Sequence, residues 1–289
     1  MKISQLLHTK KPTLSFEVFP PKTADNYENV KFATEEIAKL KPDFMSVTYG
    51  AGGGTSAYTL SLAQNLKNHA NVTPLAHLTC VSSTKEMIHT QLEKLRDAGI
   101  ENILALRGDI PNGMSTDNLD YHFASELICE IKEYGDFCIS GACYPEGHTE
   151  SKNQKEDIEA LKIKVDAGCE FLTTQMFFDN NILYNFMYKL REAGINVPVV
   201  AGIMPVTNAK QIKRICSLSG TYLPSRFRAI VDRFADNPDA MQQAGIAYAT
   251  DQIIDLLANG INNVHVYSMN KPQVAEQIRK NLSKIIEIR

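Results

Sequence analysis

Short runs of β-branched and aromatic residues recur along the chain, each closing on polar or turn residues. They are LSFEVFP (14–20), FMSVTYG (44–50), LAHLTC (75–80), NILALRGD (102–109), FCISGACYP (137–145), FLTTQMFFD (171–179), VPVVAGIMP (197–205) and VHVYSMN (264–270). Length and composition predict a buried strand at each. Between them apolar positions recur at helical spacing, as in NVKFATEEIAKL before Lys41 and in TKEMIHTQLEKLRDAG, which closes at Gly99. DAG at 97–99 and 166–168, and EAG at 192–194, each stand just ahead of a strand, the place for a glycine helix cap. The first seven strands begin about 30 residues apart, the length of one βα unit. Before the eighth the interval doubles, so 219–260, with PSRFRAIVDRF and AYATDQIIDLL, holds extra helices. Eight strand–helix units predict an α/β chain folded as a (β/α)8 TIM barrel, one domain over 1–289 with extra helices before the eighth strand. A doubly wound open sheet is the alternative, and it normally uses fewer strands in this length.

Composition narrows the function. Of 289 residues 44% are apolar and 22% charged, which are globular values. Net charge is −3, with both signs interspersed and no basic stripe, so nucleic acid is not an expected partner. The six cysteines lack CxxC spacing and read as reduced thiols of a cytoplasmic enzyme. The N-terminus MKISQLLHTKKP has no continuous apolar core, so no signal peptide is expected, and no run approaches the roughly 18 apolar residues of a membrane span.

A barrel of this kind builds its active site at the carboxyl ends of its strands. There the sequence places Glu17, Thr48–Tyr49–Gly50, His77, Arg107–Gly108–Asp109, the YPEGH run to His148, Gln175 and Asn270. In SFEVF, alternation turns Ser15, Glu17 and Phe19 inward and Phe16 and Val18 toward the helices. An unpaired interior carboxylate is costly, and its usual response is a raised pKa, which makes a proton donor near neutral pH. The competing reading pairs Glu17 with a structural arginine such as Arg107. Asp109 follows a glycine that lets a ligand approach the backbone, or it closes a local ion pair with Arg107. The AGGG run at 51–54 suits an anion or a flat ligand, or is simply a flexible loop; it does not satisfy GxGxxG. His77 reads as a hydrogen-bonded core residue, whereas His148 sits in a loop ahead of a helix, where a diphosphate would rest. The predicted strands carry no lysine, the histidines form no HxH or HExxH, and no serine sits in GxSxG. Schiff-base chemistry, a catalytic metal and an acyl-transfer elbow are therefore not expected. A buried acid, aromatics and phosphate-friendly loops suit a bound organic cofactor.

SFEVFPPKT, FMSVTYGAGG, AHLTC, LALRGD, YPEGH, LKIKVDAG, TTQMFFD and GIMPVTN occur in the order seen in methylenetetrahydrofolate reductases, and from about Ser15 onward the chain resembles the short bacterial form of that family. The resemblance implies NAD(P)H-dependent reduction of 5,10-methylenetetrahydrofolate to 5-methyltetrahydrofolate through tightly held FAD, with NADH or NADPH as co-substrate. It puts the folate-activating acid on Glu17 and a second catalytic carboxylate on Asp109. Substrate contacts fall on Asp109, Gln175, Gln211 and Lys271. Cofactor contacts fall on Thr48, Tyr49, Ala51, His77, Arg107, Gly108, Asp109, Ala124, Tyr144, His148, Asp157 and Lys164, with Thr48 also touching the nicotinamide. Ile163 and Lys271 stand where relatives carry arginine. One flavin face serving both substrates in turn implies ping-pong kinetics, and family members associate, so a homo-oligomer is expected. Two other readings stay open: a flavin barrel acting on a non-folate electrophile, and an inactive folate- or flavin-binding protein, against which Glu17, Asp109 and Gln175 argue.

Overall fold

The computed structural model describes residues 1–9, 11–49, 56–110, 113, 115 and 119–287. Eight parallel strands close in sequence order into a barrel. They are β1 (Thr13–Val18), β2 (Met45–Val47), β3 (Pro74–Thr79), β4 (Asn102–Leu106), β5 (Cys138–Cys143), β6 (Phe171–Thr174), β7 (Val199–Ile203) and β8 (Asn263–Val266). All but β3 are shorter than the apolar run that announced them, because the chain leaves the sheet before residues such as Arg107, Gln175 and Asn270 are reached. Helices α1 (Ile3–Leu7), α2 (Tyr27–Ala38), α3 (Ser56–Asn68), α4 (Lys85–Asp97), α5 (Ala124–Tyr134), α6 (Gln154–Asp166), α7 (Asn180–Glu192) and α8 (Ala209–Ser219) precede or follow successive strands. The doubled interval before β8 holds α9 (Ser225–Phe234) and α10 (Pro238–Ala258), and α11 (Pro272–Asn281) follows β8. Several helix starts carry polar caps: Thr84 accepts from the Met87 N–H, Asn153 from Glu156 and Asn208 from Gln211. Gly99, Gly168 and Gly194 of the DAG and EAG repeats adopt positive φ, as glycine caps do.

Outward residues of the strands (Phe16, Val47, Leu78, Ile103, Leu172, Ile203, Val266) pack with the helices in the main core. The barrel interior is layered. At its amino end Leu75, Leu104, Cys138, Phe171 and Val200 join Phe44, and Ile3 and Leu7 of α1 pack beneath them as a stopper. Above this lies a polar layer that includes Ser15, Ser46, His77, Ser140, Thr173 and His265, all buried. Register decides who meets whom there: Glu17 stands beside Ser46, and Ser15 beside His265. A second apolar cluster (Met176, Phe178, Val206, Phe227, Met241) ties α8–α10 to the loops after β6 and β7. There α10 presents Gly245 so close to the chain after β7 that a Cβ would lie 1.7 Å from the Val206 carbonyl oxygen.

Candidate active site

Glu17 points into the barrel, as alternation predicts. Ser46 Oγ donates to its Oε2 over 3.3 Å. His77 Nε2 lies 3.6 Å from the same oxygen and His265 Nε2 3.9 Å. His265 Nε2 is also 3.0 Å from Ser46 Oγ, and its Nδ1 is 2.7 Å from Ser15 Oγ. Phe44 stacks on the His265 ring from below, and Tyr267 meets it edge-on. The chain after β8 is fixed over β1 by Asn270, whose side chain donates to the Phe19 carbonyl and accepts from the Phe19 N–H, both at 2.9 Å.

This setting corrects the expected rise in the pKa of Glu17. Burial, the largest influence, does push the carboxyl up, but His265, His77 and Ser46 together outweigh it and the net direction is down. Burial likewise drives His77 down to about 4 against the pull of Glu17. The hydrogen-bonded contact with His265 is the largest of the lowering influences on Glu17. Arg107 is no partner of Glu17: both its terminal nitrogens bond Glu150, at 2.6 and 2.7 Å. That ion pair takes the place of the local pair with Asp109, which lies exposed at the rim.

A cavity of about 810 Å³ opens over the ends of β3–β5 and between α5 and α6. Tyr49, Arg107, Gly108, Asp109, Ala124, Tyr144, His148, Asp157 and Lys164 line it. Thr48 and His77 are not on its walls: the Thr48 carbonyl accepts from Thr59 Oγ1, and His77 lies one layer deeper, beside Glu17. Strand parity links the two sites, since Thr79 on the cavity wall shares a face of β3 with His77. Ala51 and the AGGG run lie outside the described residues.

The donor set fits an elongated, anionic ligand with a flat end. Lys164 is nearly buried, burial lowers its pKa, and its Nζ donates to the Ala142 carbonyl at 3.0 Å. Asp157 is buried; its Oδ1 accepts from Ser151, while its Oδ2 has no hydrogen-bond partner although it is shut off from solvent. A buried acceptor left over at a cavity wall suits a ligand hydroxyl. Burial pushes the Tyr144 hydroxyl up to about 12, and the ring meets His148 edge-on. Phe123 and Ile163, both more than half exposed, add apolar surface to the cavity. The volume is in the upper part of the range for small-molecule sites, roughly 300–1,000 Å³.

The remaining predicted residues gather elsewhere on the same mouth. Gln175 follows β6, and its Oε1 accepts from the Met176 N–H. Gln211, in the first turn of α8, borders a small cleft with Thr207 and Met269. Lys271 donates to Thr207 Oγ1 at 2.7 Å, which brings it to that same cleft. Ser46, His265 and Tyr267 escaped the sequence reading, as did the cavity residues Thr79, Phe123 and Glu150, while alternation turns Ser15 inward but gives it no role. Alternation in VHVYSMN does turn His265 inward, but only the barrel register shows that it faces Glu17. Among the described residues no group of three His, Cys, Asp or Glu is placed to hold a metal ion, and no helix is long and apolar enough to cross a membrane.

Comparison with known proteins agrees with this geometry. Methylenetetrahydrofolate reductase (NADH) 1 of Arabidopsis thaliana is 37% identical over 300 residues, which cover 99% of this chain and 51% of that protein. The chain thus spans about half the length of its plant relatives. The 5,10-methylenetetrahydrofolate reductase of Escherichia coli (strain K12) is 34% identical over 265 residues, covering 92% of this chain and 88% of the relative. Among solved structures, an uncharacterized Clostridium thermocellum protein that binds two copies of 5-methyl-5,6,7,8-tetrahydrofolic acid superposes with a TM-score of 0.67 at 15% identity, covering all of both chains. Oxaloacetate acetylhydrolase follows at 0.55 and 12%, covering 99% of this chain and 86% of its own; both likenesses are of fold. The family described as methylenetetrahydrofolate reductase matches residues 2–283, and the chain belongs to that family.

Proposed function

We propose that this protein reduces 5,10-methylenetetrahydrofolate to 5-methyltetrahydrofolate at the expense of NADH or NADPH, using FAD held in the 810 Å³ cavity. NADH is the reductant in the names of the Arabidopsis and maize relatives. The observation that carries the reading is the buried Glu17 carboxylate in the barrel mouth, joined through one face of β3 to a cavity fit for a dinucleotide.

What FAD supplies when bound is two-electron transfer from the nicotinamide to the folate. Asp157 would accept from a hydroxyl of the cofactor, and Lys164, Arg107 and His148 would offer positive charge and donors to its phosphates. Glu17 gives a proton to the N10 side of the folate's five-membered ring, and the C–N bond to N10 breaks as that nitrogen takes it up. The one-carbon unit left on N5 is then electrophilic. Asp109, at the rim, stabilises positive charge on the pterin. Gln175 offers its amide to the pterin, and Gln211 and Lys271 hold the rest of the folate on the β7–β8 side. Lys271 does so as a point charge, without an arginine's fork.

Optical spectra of the purified protein test this. The reading expects a yellow protein that bleaches anaerobically with NADH or NADPH and recovers its colour on addition of methylenetetrahydrofolate. A colourless protein that takes up no FAD overturns it. Bleaching without recovery overturns the folate assignment and leaves a flavin barrel with another electron acceptor.

A further inference from the structure

Beneath Glu17 runs a chain of polar atoms that the acid's own role does not use: Ser46 Oγ, the His265 ring and Ser15 Oγ. Counting its hydrogens restricts what it can do. Ser15 Oγ donates its one hydrogen to the Val264 carbonyl at 3.1 Å, so at 2.7 Å from His265 Nδ1 it accepts, and Nδ1 carries a hydrogen. Ser46 Oγ also has one hydrogen, and two acceptors within reach: Glu17 Oε2 at 3.3 Å and His265 Nε2 at 3.0 Å.

If Ser46 donates to Glu17, Nε2 must donate to Ser46, and an imidazolium faces a carboxylate. If Ser46 donates to Nε2, the Glu17 carboxyl must donate to Ser46, and both groups are neutral. The two arrangements hold the same number of protons. They differ only by a concerted shift along Glu17, Ser46 and His265.

We infer that His265, acting through Ser46, is a positioning residue that stores the proton Glu17 delivers to the substrate. The inference rests on Glu17 being the acid of the proposed reaction. In the open site the hydrogen bonds of the chain favour the ionised Glu17 carboxylate, the downward direction found for that group. A flat ligand over the mouth strips the remaining water from Glu17, the one member of the pair that still meets solvent. Desolvation penalises an ion pair more than a neutral pair, so the proton moves to the carboxyl as the site fills. The titratable groups facing the pair are His77 from β3, uncharged at neutral pH, and Tyr267 after β8, whose hydroxyl is committed to the Thr174 carbonyl at 2.5 Å. When the proton leaves with the substrate, Ser46 turns its hydrogen to the carboxylate. Nε2 is then an acceptor facing an acceptor, an arrangement relieved by taking a proton from solvent.

The test uses the flavin-loaded full chain and the variants Ser46→Ala, which breaks the wire while keeping both end groups, and His265→Gln, which keeps polarity without titration. Anaerobic single-turnover oxidation of the reduced protein by methylenetetrahydrofolate should slow by about tenfold or more in each, against roughly 10²–10⁴-fold for loss of a general acid itself. Its pH profile should change, while reduction by NADH should not. Independently of turnover, the ¹⁵N resonance of His265 Nε2 should move toward that of an unprotonated ring nitrogen in Glu17→Gln. Unchanged rates and pH profiles in both variants, or a His265 ring that does not respond to Glu17→Gln, overturn the relay alone. Full folate activity in Glu17→Gln overturns the acid and the relay together.

Discussion

His77 shows how one buried side chain writes itself into stability. Its folded-state pKa is about 4, against 6.5 for an unhindered imidazole, because burial opposes its charge. The unfolded chain therefore takes up a proton that the folded protein refuses between those two values. Stability from this residue is complete above about pH 6.5 and is lost as the pH falls toward 4, a cost of about 3 kcal/mol at the acid end. Urea titrations at pH 7 and pH 4.5 should show His77→Gln losing less stability across that window than the native chain. Parallel losses would contradict a neutral, buried His77. At this scale the sequence is informative in one direction. Alternation in SFEVF turns Glu17 inward, but the sign of its pKa shift depends on Ser46 and His265, which arrive from strands 29 and 248 residues away in the chain and whose register no local pattern encodes.

Among the elements, α10 makes the sharpest demand. It is a 21-residue helix carrying Gly245 in its interior, where alanine would ordinarily be favoured by about 1 kcal/mol. Here the added methyl would lie 1.7 Å from the Val206 carbonyl oxygen and 2.6 Å from its carbon, which are backbone atoms with no rotamer to yield. Gly245→Ala should therefore destabilise the protein by about 1–3 kcal/mol or more, as overpacking does. A chemical denaturation midpoint at or above that of the native chain would refute the contact. The periodicity of AYATDQIIDLL reveals the helix but not this approach, because a glycine required by a neighbour looks in sequence like a glycine that weakens a helix. Strand positions are legible for a related reason: strands buried on both faces read as continuous apolar runs. Their ends are less so, since the chain stays apolar after leaving the sheet, as at Met176–Phe178 beyond β6. The stopper helix α1 has only five residues, too few for a periodic signal.

Taken whole, the molecule divides its mouth by strand. The cavity rises over β3–β5, Gln211 and Lys271 meet across Thr207 on the β7–β8 side, and Glu17 lies in the barrel between them, above the polar layer. On the proposed reading, a cofactor in the cavity and a folate held from the β7–β8 side would both reach the acid. The barrel and the strand-end part of the cavity wall (Tyr49, Arg107–Asp109, Tyr144) are legible in the sequence because polar clusters close the strands, whereas Ala124, Asp157 and Lys164 on α5 and α6 follow only from the family resemblance. The proton-storing layer is not, because it exists only once the sheet has closed and β8 lies beside β1. The central claim is that Glu17 serves the folate and not the nicotinamide. Its most direct test is anaerobic stopped-flow measurement of the two half-reactions in Glu17→Gln, which removes the proton and keeps the shape. Flavin reduction by NADH should proceed at nearly the native rate, while oxidation by methylenetetrahydrofolate falls by at least about 10²-fold. Equal losses in both half-reactions, or none in the second, would contradict the account.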